Sequence, residues 1–190
     1  MKLLKGFLIG LVATATLSVA QPAAFADALT DDVTAARAAD ADRVLAYLTS
    51  PQFVPSRIEF RSISADPVSD LIQIATSRRH SIDLRIRAIE SLPLYTSDER
   101  ARETVDSLLA NTSPNNKMFG PTLVAYAAFH GEAVTEAVAP FAEHPDPSIR
   151  LAAVVALGRF CGQLGFEMLK NLSDKEEDPV VKARIDQLVN

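Results

Sequence analysis

Asp146-Pro147-Ser148-Ile149-Arg150, followed by Ala153, Ala156-Leu157 and Gly158, is the stretch on which the fold of this chain turns. An aliphatic–basic pair leads, with a small residue three positions after the basic one and a small–aliphatic pair three further on. Residues three and four apart share one face of an α-helix, so these positions form a single stripe. The stripe returns at Leu84-Arg85, Ala88 and Ser91-Leu92, and again at Val181-Lys182, Ile185 and Leu188. A degraded copy lies between them as Thr122, Ala125 and Ala128-Phe129. The anchors Arg85, Thr122, Arg150 and Lys182 are therefore spaced 37, 28 and 32 residues apart. Periods in this range predict helical hairpins that each bury an apolar face on the next. The expected fold class is all-α, an α-solenoid of stacked antiparallel helical hairpins.

Outward from that stretch, punctuation sets the helices. Asp66-Pro67 and Asp178-Pro179 repeat the Asp146-Pro147 start, in which aspartate caps the helix and proline occupies a first-turn position where its missing N–H is not needed. The spacing predicts helices from Asp66 to about Arg78, from Ser81 to Leu92 ended by Pro93, from Ser97, from about Pro121 to Phe129, from Ser148 to Phe160 and from Gln163 to Leu172. Glu132 to Glu143 reads as a helix bent at Pro140, and Asn111 to Asn116 as a polar loop. Upstream, Thr30 to Leu48 reads as an alanine-rich helix with Val33, Ala36, Val44, Tyr47 and Leu48 as its apolar stripe. Between Pro51 and residue 65 the alternation of Ile58 and Phe60 with charged neighbours is strand-like but has no partner strand. Helix and strand both stay open there.

The first 26 residues read as a targeting segment. Lys2 and Lys5 precede an uncharged apolar run from Phe7 to Ala20, and Ala24-Phe25-Ala26 supplies a small-x-small cleavage pattern. Cleavage is expected before Asp27, with Ser18-Val19-Ala20 as a second site. The run is shorter than the roughly 20 residues a membrane span needs. The expectation is export to a periplasmic or secreted, bacterial setting, with no membrane insertion once the leader is removed. Seventeen basic against 24 acidic residues then remain, a net charge near −7 that speaks against nucleic acid as a partner. The lone Cys161 has no internal disulfide partner and reads as a small buried hydrophobe.

The quoted segment, with Asp178-Pro179-Val180-Val181-Lys182, resembles the second helix of a HEAT repeat, especially the short-period variety first associated with phycobilisome lyases. The resemblance covers residues 66–190, leaving 27–65 as an N-terminal helix and irregular connector. It implies a structural ladder in which acidic and basic residues near the start of each second helix bond between layers: Arg85, Arg150 and Lys182, with Asp83, Asp146 and Asp178 as counterparts. Thr122 in place of a basic residue interrupts it, Pro93 replaces the usual glycine, and Asp83 is offset from the other aspartates.

Reaction chemistry is not legible. His80, His130 and His144 have no metal-ligand spacing, and Gly158, Gly162 and Gly165 lack the strand and the Lys-Ser/Thr of a phosphate loop. The basic run Arg78-Arg79-His80 reads as a solvated turn near a helix end. No catalytic, cofactor or metal site is expected. The reading is a non-catalytic module that binds a protein or peptide on the concave face of the solenoid, with Arg87, Glu90, Tyr126 and Arg159 as contact candidates. A chromophore lyase or isomerase, or a structural accessory of a cell-envelope complex, are the alternatives.

Overall fold

The computed structural model describes residues 22–190, and the elements among them are all helical, with no strand. The expected leader falls outside the described residues up to position 21, as does the junction after Ala20. The junction after Ala26 lies in the first helix, α1 (Pro22–Thr49). Two compact units divide the chain, Met1–Ala36 and Arg37–Asn190, and the second holds the core described below. In α1 the expected stripe is only half realised: Val44 and Leu48 are buried, whereas Val33 and Ala36 are exposed. The segment left open by the sequence is a helix, α2 (Arg57–Ile63). It is capped by Ser56, and Phe60 is buried edge-on against Tyr47 at 5.1 Å between ring centres. Burial of one large ring outweighs the strand-like alternation around it.

Then follow α3 (Pro67–Thr76), α4 (Ile82–Ser91), α5 (Glu99–Asn111) and α6 (Phe119–His130). After them come α7 (Thr135–Val138), α8 (Pro147–Phe160), α9 (Gly162–Ser173) and α10 (Pro179–Val189). Consecutive helices pair as α3 with α4, α5 with α6, and α9 with α10, while α4, α6, α8 and α10 each pack on the next of their own kind. Small residues let those second helices approach. A Cβ built on Gly120 would stand 3.1 Å from Ala152 near the start of α8, and one on Gly131 would stand 3.7 Å from the Phe160 carbonyl at its end. Helices α6 and α8 therefore run in the same sense. Likewise Gly158 late in α8 faces Leu188 late in α10.

The segment expected as one bent helix from Glu132 to Glu143 is instead three short pieces, a 3-10 turn (Gly131–Val134), α7 and a second 3-10 turn (Ala139–Glu143). Gly131 at φ 60° ends α6, and Pro140 cannot continue an α-helix, so only one α-helical turn fits between them. Cores form on both sides of this break, around Leu71, Ile89 and Leu92 towards the N-terminus and around Leu123, Leu157 and Ile185 towards the C-terminus. Each such side chain, fully covered, contributes roughly 1.5–3 kcal/mol.

The basic anchors form bonds other than the ladder the resemblance implies. Arg85 Nε donates to the Ala75 carbonyl at 2.9 Å, Arg150 Nη1 to those of His144 and Pro145 at 3.0 and 3.1 Å, and Lys182 Nζ to that of Ser173 at 3.0 Å. All three close onto the carbonyls that end the preceding helix or turn, where a cation is favoured. Asp146 and Asp178 spend their carboxylates on capping α8 and α10, and Asp83 stands in the first turn of α4, which Ser81 caps. Arg150 alone of the three also reaches across, to Glu176 rather than Asp178, with two bonds of 2.8 Å. At the interrupted copy, Thr122 is buried and donates to the Met118 carbonyl of its own helix. There Asn111 donates back to Ser107 at the end of α5, where a latching cation would otherwise act.

Candidate functional site

A groove of about 620 Å³ opens along α6 and α8, with Glu90 of α4 and the loops at Pro55, Pro93 and Pro114 at its edges. Its floor follows from sequence spacing. On α6, Gly120, Val124 and Ala128 recur every four residues, and on α8, Ala152, Val155 and Arg159 follow at three and four, so each set forms one stripe. Phe119 and Thr122, on the other side of α6, are buried, and Gly120 is itself buried against α8, so the stripe opens to the groove at Val124 and Ala128. Pro93 after α4, Pro55 and Phe160 extend the apolar walls. Asn115, Asn116, Lys117 and Ser148 supply a polar rim. That rim is held in place locally: Asn116 Oδ1 accepts from Met118 N at 2.9 Å, and Asp146 Oδ1 accepts from both N and Oγ of Ser148 at 2.8 Å.

Four charged side chains line the groove: Glu90, Lys117, Asp146 and Arg159. The hydrogen bonds from Ser148 hold the Asp146 carboxyl below the usual range. Glu90 behaves in the opposite way. Its side chain opens to the groove, but loss of water against the walls pushes its pKa up, with the charge of Arg87 pulling less strongly the other way. A carboxyl raised by desolvation in a cleft marks a candidate binding position.

Of the contact residues expected from sequence, Glu90 and Arg159 lie in the groove and Arg87 and Tyr126 do not. Arg87 donates to the carbonyls of Leu48 and Ser50 at the end of α1 and covers the Phe53 ring at 5.4 Å. Its work is to cap a helix. Tyr126 stands with Asp106, Leu109, Phe119 and Phe141 around a separate hollow, its ring 4.5 Å from that of His130. His130 Nε2 is in turn 2.7 Å from Asp106 Oδ1, a bond between α6 and α5. Sequence reasoning passed over Lys117, Asn115 and the proline walls. The Gly120-Val124-Ala128 stripe was the available signal, because small residues at that spacing either pack closely or leave a furrow.

Among the described residues no three His, Cys, Asp or Glu side chains are arranged to hold a metal ion. His144 Nδ1 accepts from the Asp146 backbone at 3.1 Å, which makes it part of the turn before α8. Cys161 is fully buried, and burial pushes its thiol pKa up. Among the described residues no helix is long and apolar enough to cross a membrane. Set beside known proteins, the chain matches no family model and no curated protein.

Proposed function

We propose that this chain is a short-period HEAT-like α-solenoid that acts, after export, as a non-catalytic interaction module, docking a protein or peptide in the groove of its second helices. The observation that carries this reading is the groove itself, an apolar furrow along α4, α6 and α8 with a polar, charged rim. Apolar concavities of several hundred Å³ with a few placed polar groups are where ligands bind. The basic residues that latch α4, α8 and α10 onto the carbonyls before them support the repeat architecture. The basic-then-apolar start and the small-x-small pattern ending at Ala26 support export.

Photocrosslinking tests the docking. A benzophenone amino acid at Ala128 or Val155, in cells that make the protein natively, is expected to give a discrete adduct outside the cytoplasm. The same probe at Glu103, exposed on α5, is expected to give none. Equal labelling from both faces, or adducts confined to the Glu103 probe, would remove the groove from consideration.

A further inference from the structure

Among the described residues, the Tyr95 hydroxyl is the one buried side-chain oxygen or nitrogen without a hydrogen bond. Tyr95 closes the 3-10 turn Leu92–Tyr95 after α4 and keeps 6% of its exposure. A buried phenol usually finds a partner, because an unpaired one forfeits the hydration it has given up. The groups that stand near it are cationic. The Arg57 guanidinium lies over the Tyr95 ring, 5.5 Å from its centre. Arg61 follows one turn later on α2, and residues four apart share a helix flank, so both cations face the same side. Burial pushes the Tyr95 pKa up, and the two charges that pull it back are Arg61 and then Arg57. Neither arginine has a hydrogen bond or an ion pair among the described residues. Glu59, two residues from each, falls on the other flank of α2 and bears on Tyr47 instead. Asp98, three residues after Tyr95, is bound by Arg100 through Nε and Nη2.

This flank of α2 therefore gathers hydrogen-bond donors and no acceptor of matching charge. We propose that it is a phosphate site, separate from the groove, in which Arg57 and Arg61 fork onto the phosphate oxygens and the Tyr95 hydroxyl donates to one of them. None of the three residues lines the groove. Arg57 is exposed, and its swing from the ring onto the anion is what opens the hydroxyl to the ligand. Two forks and a hydroxyl bring more hydrogens than the roughly four acceptor positions of a carboxylate can take, whereas a phosphate offers three oxygens. The phosphate can belong to a soluble phosphoryl compound or to a phospholipid headgroup. Ile58, 80% exposed between the two arginines in sequence, would meet acyl chains in the second case alone.

The chain's three tyrosines make the site observable by NMR of the full chain labelled with 13C at tyrosine Cζ. The signal that disappears in Tyr95→Phe identifies Tyr95. Inorganic phosphate, added at constant ionic strength, is expected to move that signal saturably while those of Tyr47 and Tyr126 hold still. Arg57→Gln and Arg61→Gln, at exposed positions, should keep the parent melting profile. Each should raise the Kd for phosphate at least about tenfold, the scale of one charge-assisted bond. Tyr95→Phe should weaken phosphate binding, read by calorimetry, without lowering the melting temperature, because no hydrogen bond is lost with the hydroxyl. Flotation with phosphatidylglycerol vesicles separates the two sources. Retention that the double arginine variant loses assigns a headgroup, and phosphate binding without retention assigns a soluble compound. The inference is overturned if phosphate gives no saturable shift and vesicles retain nothing. A shift common to all three tyrosines overturns it too, as does binding that Tyr95→Phe or the double arginine variant leaves intact. Each of these results leaves the groove reading standing.

Discussion

Arg150 and Arg100 each tie one helical hairpin to another, and they do so in unlike surroundings. Arg150, near the start of α8, forks onto Glu176 ahead of α10, and the two side chains keep 16% and 7% of their exposure. Arg100, near the start of α5, forks onto Asp66, the cap of α3, and these keep 54% and 31%. The geometry of the bonds is alike, and the water around them is not. Around the first pair the turn before α8 and the end of α9 close in, with Ala142, Pro145 and Leu172 beside Arg150 and Glu176. Around the second pair no such cover forms, and Arg100 and Asp66 stay at the surface.

Arg150→Ala is the strongest way to break that contrast. It strips Glu176 of both side-chain bonds and leaves the His144 and Pro145 carbonyls unlatched. The expected loss is about 3 kcal/mol, the scale for removing one partner of a sheltered pair, read by urea unfolding. The pH dependence has a fixed sign. The hydrogen bonds from Arg150 hold the Glu176 carboxyl below its usual range. The pair's contribution is therefore whole above the unfolded glutamate pKa of about 4.3 and is lost as pH falls towards the lower folded value. The acid limb of the stability profile should flatten in the variant. An Arg150→Ala protein as stable as the parent would place the joint elsewhere.

The same contrast explains what could be read from the sequence. The stripe at Ile149, Ala153 and Leu157 was legible because close-packed helices leave each position one solution, small or aliphatic, and those residues are buried. The capping aspartates were legible for a similar reason, since Asp66, Asp146 and Asp178 each stand just before a proline. Partners across a joint were not. Asp178 and Glu176 are two residues apart in a loop, and only the loop's path decides which of them Arg150 meets. In the groove, Glu90 and Arg159 were legible as lining positions because they project from helices of known phase. Arg87 lies outside it because a long side chain can reach a distant helix end, and Pro55 and Lys117 were not legible because loops carry no period.

Glycines in α8 and α9 sharpen the comparison at a smaller scale. A methyl on Gly165 would lie 2.4 Å from the Leu157 carbonyl oxygen and 2.8 Å from Cys161 Cβ, so a backbone must move. On Gly158 the close contacts, at 2.8 and 2.9 Å, are the terminal carbons of Leu188 and Leu169, which can turn away. Gly165→Ala should therefore cost about 2 kcal/mol, the scale of overpacking. In Gly158→Ala the strain is offset by the roughly 1 kcal/mol that alanine gains over glycine in a helix. Thermal melts of the two should separate, with Gly165→Ala the lower. The reverse order would mean that the C-terminal helices are less closely packed than the contacts indicate.

Arg100→Ala is expected to be the mildest of these changes, and its small size is informative. The guanidinium bonds both Asp66 and Asp98, and its hydrogen bond is the largest influence holding the Asp66 carboxyl below the usual range. At the surface, however, water replaces most of what is lost. Asp66 keeps its capping bond from Ser69 N, and Arg37 Nη2 lies 3.7 Å from its carboxylate as a second cation. The loss should not exceed about 1 kcal/mol, and 1 M salt should reduce it further, because exposed charges are screened over roughly 3 Å at that strength. The Arg150→Ala deficit, behind its cover of helices, should persist in the same salt. Chemical unfolding in urea at low and high sodium chloride gives all four values in one series. If salt reduces both deficits equally, shelter from water is not what separates the two joints.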